Sequence, residues 1–327
     1  MAGETTTTTL TANVRVAYNK GAYHAFEANG QFWKSAVSKE TAMESGSGAV
    51  FDKWNALTVA TAALNELTDG TAETPTITQA TICPVEHGKW VQTSKKWRLT
   101  AYGPNERYIA EKLGMNANAS LDTLARAALD AQTGATWIIY AGANVALNTI
   151  DKADVLTTNN FRRARAMLET NNVPPFEDSF YRAYIHPAVL TDLKNETNIT
   201  GWTYKAAYSN EMNKAIAING EEGVFEGFRV IRSSRCRVQL KAGDGINTTT
   251  GASADVYTTY FLGDRALAEA HYGAVPQIKI SQVMQNTGDA YGRHQYAAWY
   301  ALVHYQALED DSLIKAYSSS SMAVNGS

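Results

Sequence analysis

Two cysteines, Cys83 and Cys236, are all the thiols in 327 residues. That rules out a disulfide scaffold and fits a chain made in a reducing compartment. Six histidines (His24, His87, His186, His271, His294, His304) are scattered without metal-ligand spacing. The nearest approach to a metal motif is Cys83-Pro84-Val85-Glu86-His87, but Pro84 and its strand-like surroundings keep the thiol and imidazole off a common helix face, and no second ligand pair follows. No serine or cysteine elbow precedes His186, which reads as a capping or packing residue before Pro187. Ser45-Gly46-Ser47-Gly48 lacks the strand, lysine and helix of a phosphate loop and reads as a hinge. No cofactor is expected. The longest apolar run, Ala297 to Val303, falls far short of the roughly 20 residues that cross a bilayer, so no membrane partner is expected. Met1 to Asn13 is polar and Thr-rich, without a cationic start or an apolar stretch. A soluble intracellular product is the expectation, and the Asn-x-Thr matches at Asn195, Asn198 and Asn247 carry no weight.

Positive charge is not in excess either: 29 basic against 32 acidic residues give a net charge of −3. A dedicated nucleic-acid binder concentrates cations, so any DNA contact is expected to be weak and non-specific. What the chain does have is aromatic surface. Seven Trp and 17 Tyr without a cofactor motif suit large contact surfaces as well as an aromatic core.

The most ordered pattern lies between Val155 and Asn195. Thr157 stands where an N-cap would, and Phe161, Ala164 and Leu168 then share one helix face until Val173-Pro174-Pro175 stops it. Tyr181 to Ile185 alternates as a half-buried strand, and Pro187 opens a second helix containing Leu190 and Leu193. Upstream, residues 1–50 read as a weakly structured arm whose aromatics (Tyr18, Tyr23, Phe26, Phe32, Trp33) pack on something else, such as a neighbouring subunit. Trp54 to Thr100 reads as long antiparallel strands with turns at Asp69-Gly70 and His87-Gly88; its weak alternation gives a hairpin no face to bury by itself. Pro104 to Gln132 reads as a helix with Tyr108, Ile109, Leu113, Leu121, Leu124, Ala125 and Ala128 on its apolar stripe. Gly114 to Asn118 is weak enough that two helices, the second capped by Ser120, are an alternative. Beyond lie a strand at Thr136 to Tyr140, a helical candidate at Ser209 to Ala217, and strands at Val224 to Ile231, Cys236 to Leu240 and Asp255 to Leu262. A short helix is expected at Asp264 to Ala270, then strands at Pro276 to Val283, Tyr291 to Tyr305 and Leu313 to Tyr317, and a polar tail from Ser318. No repeat of solenoid period is present.

Arg162, Arg163 and Arg165 make a basic patch and Glu309, Asp310 and Asp311 an acidic one. They are either solvated faces or complementary contacts between subunits that set register. Three function classes follow: a structural assembly protein, a soluble oligomeric enzyme with a dispersed site near His186 or Cys83, and a host-surface adhesion module, which the missing secretion signal disfavours.

Motif order narrows these. Leu156-Thr157, Asn172-Val173-Pro174, Tyr184-Ile185-His186-Pro187 and Asp192-Leu193 together resemble the major capsid proteins of certain tailed bacteriophages, the Hong Kong 97-type fold. The resemblance extends from about Val50 to Tyr317 through Leu67-Thr68-Asp69-Gly70, His87-Gly88-Lys89-Trp90-Val91, Leu113-Gly114 with Leu121-Asp122-Thr123, Gly223 to Arg232, Tyr291-Gly292-Arg293, Ala298-Trp299-Tyr300 and Leu308 to Ala316. It implies an α+β fold with an N-terminal arm (1–50), an extended loop (51–103), a peripheral domain (104–150 and 271–317) containing one continuous spine helix, an axial domain (151–270) and a tail (318–327). It further implies a structural protein rather than an enzyme, one that self-assembles into pentamers and hexamers of an icosahedral virion shell around double-stranded DNA in the host cytoplasm. Portal and decoration proteins are implied partners, and an arm as short as residues 1–50 implies a separate scaffolding protein. Asp69, Gly70, Trp90, the three arginines and the three acids are the expected subunit contacts. Lys89, Lys95 and Lys96 lack the motif of relatives that cross-link a loop lysine, so no cross-link is expected.

Overall fold

The computed structural model describes residues 31–40, 48–55, 57–61, 72–100, 105–132, 137–196, 221–243, 254–273, 275, 277–280 and 293–322. A 3-10 turn, Trp33–Ser35, leads into β1 (Val37–Glu40); then come β2 (Ala49–Trp54), β3 (Ile77–Ile82), β4 (Val85–Ser94), α1 (Lys95–Thr100) and α2 (Asn105–Ala131). Next are β5 (Ile138–Tyr140), α3 (Thr158–Thr170), β6 (Tyr181–Ile185), α4 (Pro187–Lys194), β7 (Glu221–Phe225), β8 (Phe228–Arg232) and β9 (Val238–Gln239). The chain closes with β10 (Val256–Leu262), β11 (Leu267–His271), β12 (Gln277–Ile280), β13 (His294–Ala307) and β14 (Leu313–Ser318).

Two sheets and one long helix organise these pieces. The first sheet runs β1-β11-β13-β12, with β4 on the other side of β13; the second runs β5-β14-β10-β6-β8-β7, with β9 beside β10. Helix α2 packs on both. Its buried residues Ala110, Leu113, Ala117, Leu121, Ala125 and Leu129 recur every three or four positions, so one stripe meets Trp299, Ala301 and Val303 of the first sheet and Tyr184, Tyr260 and Leu313 of the second. Strand alternation then divides the second sheet between two cores: Tyr184, Ile231, Tyr260 and Leu313 face α2, while Ala183, Val230, Phe261 and Ile314 face Phe161 and Leu168 of α3 and Leu190 and Leu193 of α4.

The helix of 27 residues is continuous, which decides between the two alternatives. Its weak stretch is held by tertiary bonds: Trp299 Nε1 donates to Asn116 Oδ1 at 2.9 Å, and an Arg235 guanidinium nitrogen donates to Asn118 Oδ1 at 3.0 Å. Tyr108, expected on the apolar stripe, faces outward.

Several local expectations change. The segment expected as a helix at Asp264 to Ala270 is a turn followed by β11, because Arg265 adopts φ 61°, and Leu267, Ala268, Glu269 and Ala270 are buried on both faces between β1 and β13. Packing overrides their helix propensity. Val224 to Ile231 is a hairpin rather than one strand, since Glu226 and Gly227 both take positive φ, as a two-residue hairpin turn needs. His87-Gly88 is no turn. Both lie inside β4, where a Cβ on Gly88 would come within 2.8 Å of the Trp299 carbonyl oxygen, so the glycine marks a close strand approach. Lys95 to Thr100, read as strand, is helical. Part of the supposed arm is docked on its own subunit, as is the start of the supposed tail: Ser318 ends β14, and Ser320 Oγ and Ser321 N donate to Asp192 on α4 at 2.6 and 3.0 Å. Ser209 to Ala217 lies outside the described residues.

Thr157 occupies the N-cap position of α3 but makes no capping bond. Glu196, arriving from beyond α4, takes that role: its Oε2 accepts from Thr158 N at 3.0 Å and Thr158 Oγ1 at 2.6 Å, placing negative charge at the helix start. His186 does cap, accepting from Ala188 N at 3.3 Å through Nδ1.

Candidate assembly surfaces

The residues of this chain divide into those bonded within the subunit and those left open. Among the first is the stretch from Gln31 to Glu40. Asp122, fully buried on α2, accepts from Gln31 N at 3.1 Å and Phe32 N at 2.7 Å with one oxygen, and from an Arg235 guanidinium nitrogen at 3.0 Å with the other. Phe32 stacks on Tyr184 with ring centres 4.4 Å apart and meets Tyr260 edge-on. Arg182 donates to Ser35 Oγ at 2.9 Å, and Tyr184, whose hydroxyl burial pushes up to about 12, hydrogen-bonds Ser35 and the Gln31 carbonyl. Beyond this lock, β1 adds to β11 in parallel, over a 430 Å³ cavity lined by Trp33, Lys34, Ser38, Glu269 and His271. Burial raises the Glu269 carboxyl to about 7.

Strands β2 and β3 contrast with this. Among the described residues they pair only with each other, and Ala49, Ile82 and the half-buried Phe51 pack with Ala268 and Ala270 of the first sheet. Further out, Trp54 is 65% exposed, and Leu57, Val59 and Ile77 are also open. Beside them Trp90 on β4 is 60% exposed, its indole edge-on to Tyr296 at 5.6 Å.

The expected charged contacts sort unevenly. Arg162 Nε bonds Glu226 at 3.0 Å, and Arg165 Nε bonds Glu169 at 2.6 Å while its guanidinium lies against Gly227. Both arginines thus hold the β7-β8 turn to α3 within one subunit, and Arg163 is left exposed. Glu309 pairs with Lys53 on β2 at 3.3 Å, whereas Asp310 and Asp311 are exposed beside the end of α2, where Gln132 Nε2 donates to the Asp310 carbonyl at 2.9 Å. The structure therefore does not bring the basic and acidic patches together within one chain. Asp69 and Gly70 lie outside the described residues.

Among the described residues neither enzyme candidate gathers a reacting constellation. His186 is occupied by its cap and by Tyr257, with ring centres 4.9 Å apart, and burial lowers its pKa. Cys83 is exposed at the end of β3. Sequence reasoning placed Asp122, Asp192 and Lys315 inside family-like motifs without giving them a role, and it did not single out Arg235.

The fold as a whole is similar to those of solved phage shells. The capsid of Ralstonia phage GP4 is similar at 14% identity over 92% of this chain and 94% of that one, with a TM-score of 0.72. The head of Helicobacter pylori bacteriophage KHP40 is similar at 12% identity over 89% and 92%, TM-score 0.62, and the capsid of cyanophage Pam1 at 11% over 86% and 87%, TM-score 0.61. The fold is thus the Hong Kong 97-type of phage shell subunits. No curated protein matches the chain by sequence. Residues 110–297, more than half the chain, match the family model described as phage capsid protein, and the chain belongs to that family. It is a structural protein of the virion, a major capsid protein that forms the shell, and not a member of an enzyme family.

Proposed function

We propose that the chain forms pentamers and hexamers of an icosahedral shell that encloses double-stranded phage DNA, assembled in the host cytoplasm. The observation that carries this is the β2-β3 hairpin: among the described residues its outer apolar side chains, Trp54 and Ile77, stay exposed, and a two-stranded ribbon is marginal in water without cover. Burial that waits for a neighbour suits head-to-tail rings. Helix α2 and the first sheet would be the peripheral part, and the second sheet with α3 and α4 the axial part. Strands β5, β11 and β14 cross the linear limits 104–150, 151–270 and 271–317, so the two parts would interleave in sequence. Trp90, Arg163, Asp310 and Asp311 are the exposed members of the contact set; Asp69 and Gly70 are proposed with them, and Arg162, Arg165 and Glu309 would shape these surfaces from within. DNA would be met by weak, non-specific contact, in keeping with the net charge of −3.

Negative-stain electron microscopy of the chain co-expressed with its phage's other head proteins is expected to show capsomers or icosahedral particles. A species that stays a small oligomer throughout would sink the proposal. We further propose a separate scaffolding protein and a portal as partners, with decoration proteins on the finished shell. Correct empty shells from the chain expressed alone would overturn the scaffolding part.

A further inference from the structure

Apart from the hairpin, the fold leaves apolar side chains open where β4 runs into α1 and α2 begins. Lys95 N donates to the Arg293 carbonyl at 2.7 Å, tying α1 to the start of β13, and the Asn116–Trp299 bond sets the first half of α2 over the same end of the sheet. On this corner Leu99 is 77% exposed and Trp97 42%. Tyr108, Lys112 and Met115 stand at i, i+4 and i+7 of α2, so they share a stripe, and all three are exposed. Lys95 and Lys96 are exposed beside them.

At the opposite end of α2, roughly 40 Å away by helix rise, the exposed acids are Asp310 and Asp311. Arg162 and Arg165 are engaged inside the subunit and leave the acids without them. We propose that, in the ring of subunits, the α1-α2 corner of one copy docks on the Asp310-Asp311 end of the next, lysines on aspartates, with Trp97 and Leu99 covered between them. The proposal rests on the shell-subunit reading above. Two different, complementary patches at opposite ends of one rigid helix are what a heterologous contact requires, and repetition of such a contact closes a ring. The charges set register and orientation, while the apolar pair supplies burial. DNA phosphates would match the lysines but would leave Leu99 uncovered, which favours a protein surface.

The test is charge reversal in the full chain, co-expressed with the other head proteins of its phage. Lys95→Glu with Lys96→Glu, and separately Asp310→Lys with Asp311→Lys, are each expected to reduce particle yield by about tenfold or more, because like charges then face each other. Combining all four is expected to restore most of the yield. A combination no better than either pair, or pairs that assemble normally and lose only packaged DNA, overturns the contact. Thermal melting of each variant subunit separates misfolding from failed docking. Independently, Leu99→Cys with Asp311→Cys in a Cys83→Ser background should give a ladder of linked subunits on non-reducing gels of oxidised particles; particles that form without a ladder overturn the contact as well. If the unmodified chain forms no capsomers at all, the shell-subunit reading fails and takes this contact with it.

Discussion

Two stretches near the start of the chain, 31–40 and 49–82, are both polar, dotted with aromatics and short of a continuous apolar face. In the structure they diverge. Phe32 of the first is fully buried among Tyr184 and Tyr260, and the backbone around it is held by Asp122; Trp54 of the second is 65% exposed. The difference lies in what each meets. The first runs past a buried carboxylate and an aromatic pocket in its own subunit, while the outer part of the hairpin meets no such surface among the described residues. Composition describes the first as part of a weakly structured arm and the second as strands without a face to bury, and neither description says which of them docks on its own subunit.

That contrast can be broken from either side. The largest effect is expected from Asp122→Ala, which leaves the Arg235 guanidinium without its carboxylate and two backbone amides without an acceptor. Losing one member of a buried pair destabilises by about 3 to 5 kcal/mol. A fall in Tm of the isolated subunit, together with rapid proteolysis near residue 31, would show the strap released; an unchanged Tm would refute the lock.

Next is pH. Glu269, beneath the strap, has its carboxyl raised to about 7 by burial, with His271 Nδ1 3.5 Å from its Oε1 and Lys34, Glu40 and Tyr305 around it. A raised folded pKa means that the folded state holds the proton more tightly. Its stabilising contribution is therefore full below the ordinary carboxylate range, near 4.5, and is lost as pH climbs through about 7. On the order of 3 kcal/mol should vanish across that window. Glu269→Gln should flatten this part of the stability profile, and wild-type and variant profiles that run parallel would dispose of the assignment.

A smaller effect sets two caps against each other. Glu196→Ala should cost about 1 kcal/mol by uncapping α3, whereas Thr157→Ala, at the position a sequence reader would choose, should change stability by less than about 0.5 kcal/mol. Urea titrations of the two would rank them, and the reverse order would contradict the geometry. Smallest for the subunit is Trp54→Ala on the hairpin, expected to shift unfolding by about 0.5 kcal/mol or less while lowering particle yield. A large loss of subunit stability would mean that the hairpin is covered by its own chain after all.

How much of this could be read beforehand follows the range of the interactions. The α3-β6-α4 unit was legible to within a residue or two because its signals are local: a Pro-Pro stop, an alternating strand and a proline at the first helical position. The long helix was legible as a stripe, though its continuity was visible only through the family's motif order. β11 was misread because Leu, Ala and Glu favour helix locally, and only two flanking strands make Leu267 to His271 extended. The Glu226-Gly227 turn was missed because it lacks the Asn-Gly or Asp-Gly pair that marks such turns. Among the charged contacts, Arg162 and Arg165 were singled out by clustering, which does not reveal that each pairs within the subunit, with Glu226 and Glu169. Asp122 and Arg235 are 113 residues apart, a distance no local pattern spans.

Lys315 on β14 donates to the carbonyls of Asp130 and Gln132, satisfying the last turn of α2 from a position buried enough to lower its own pKa. β14 also lies between β5 and β10 within the second sheet, so it fills a place inside a sheet whose other members all precede it in sequence. On the ribosome, the growing polypeptide can neither close that sheet nor finish that helix until translation has passed residue 318. Contacts of such long sequence separation form late. A product terminated before residue 313 would lack the strand that joins β5 to β10.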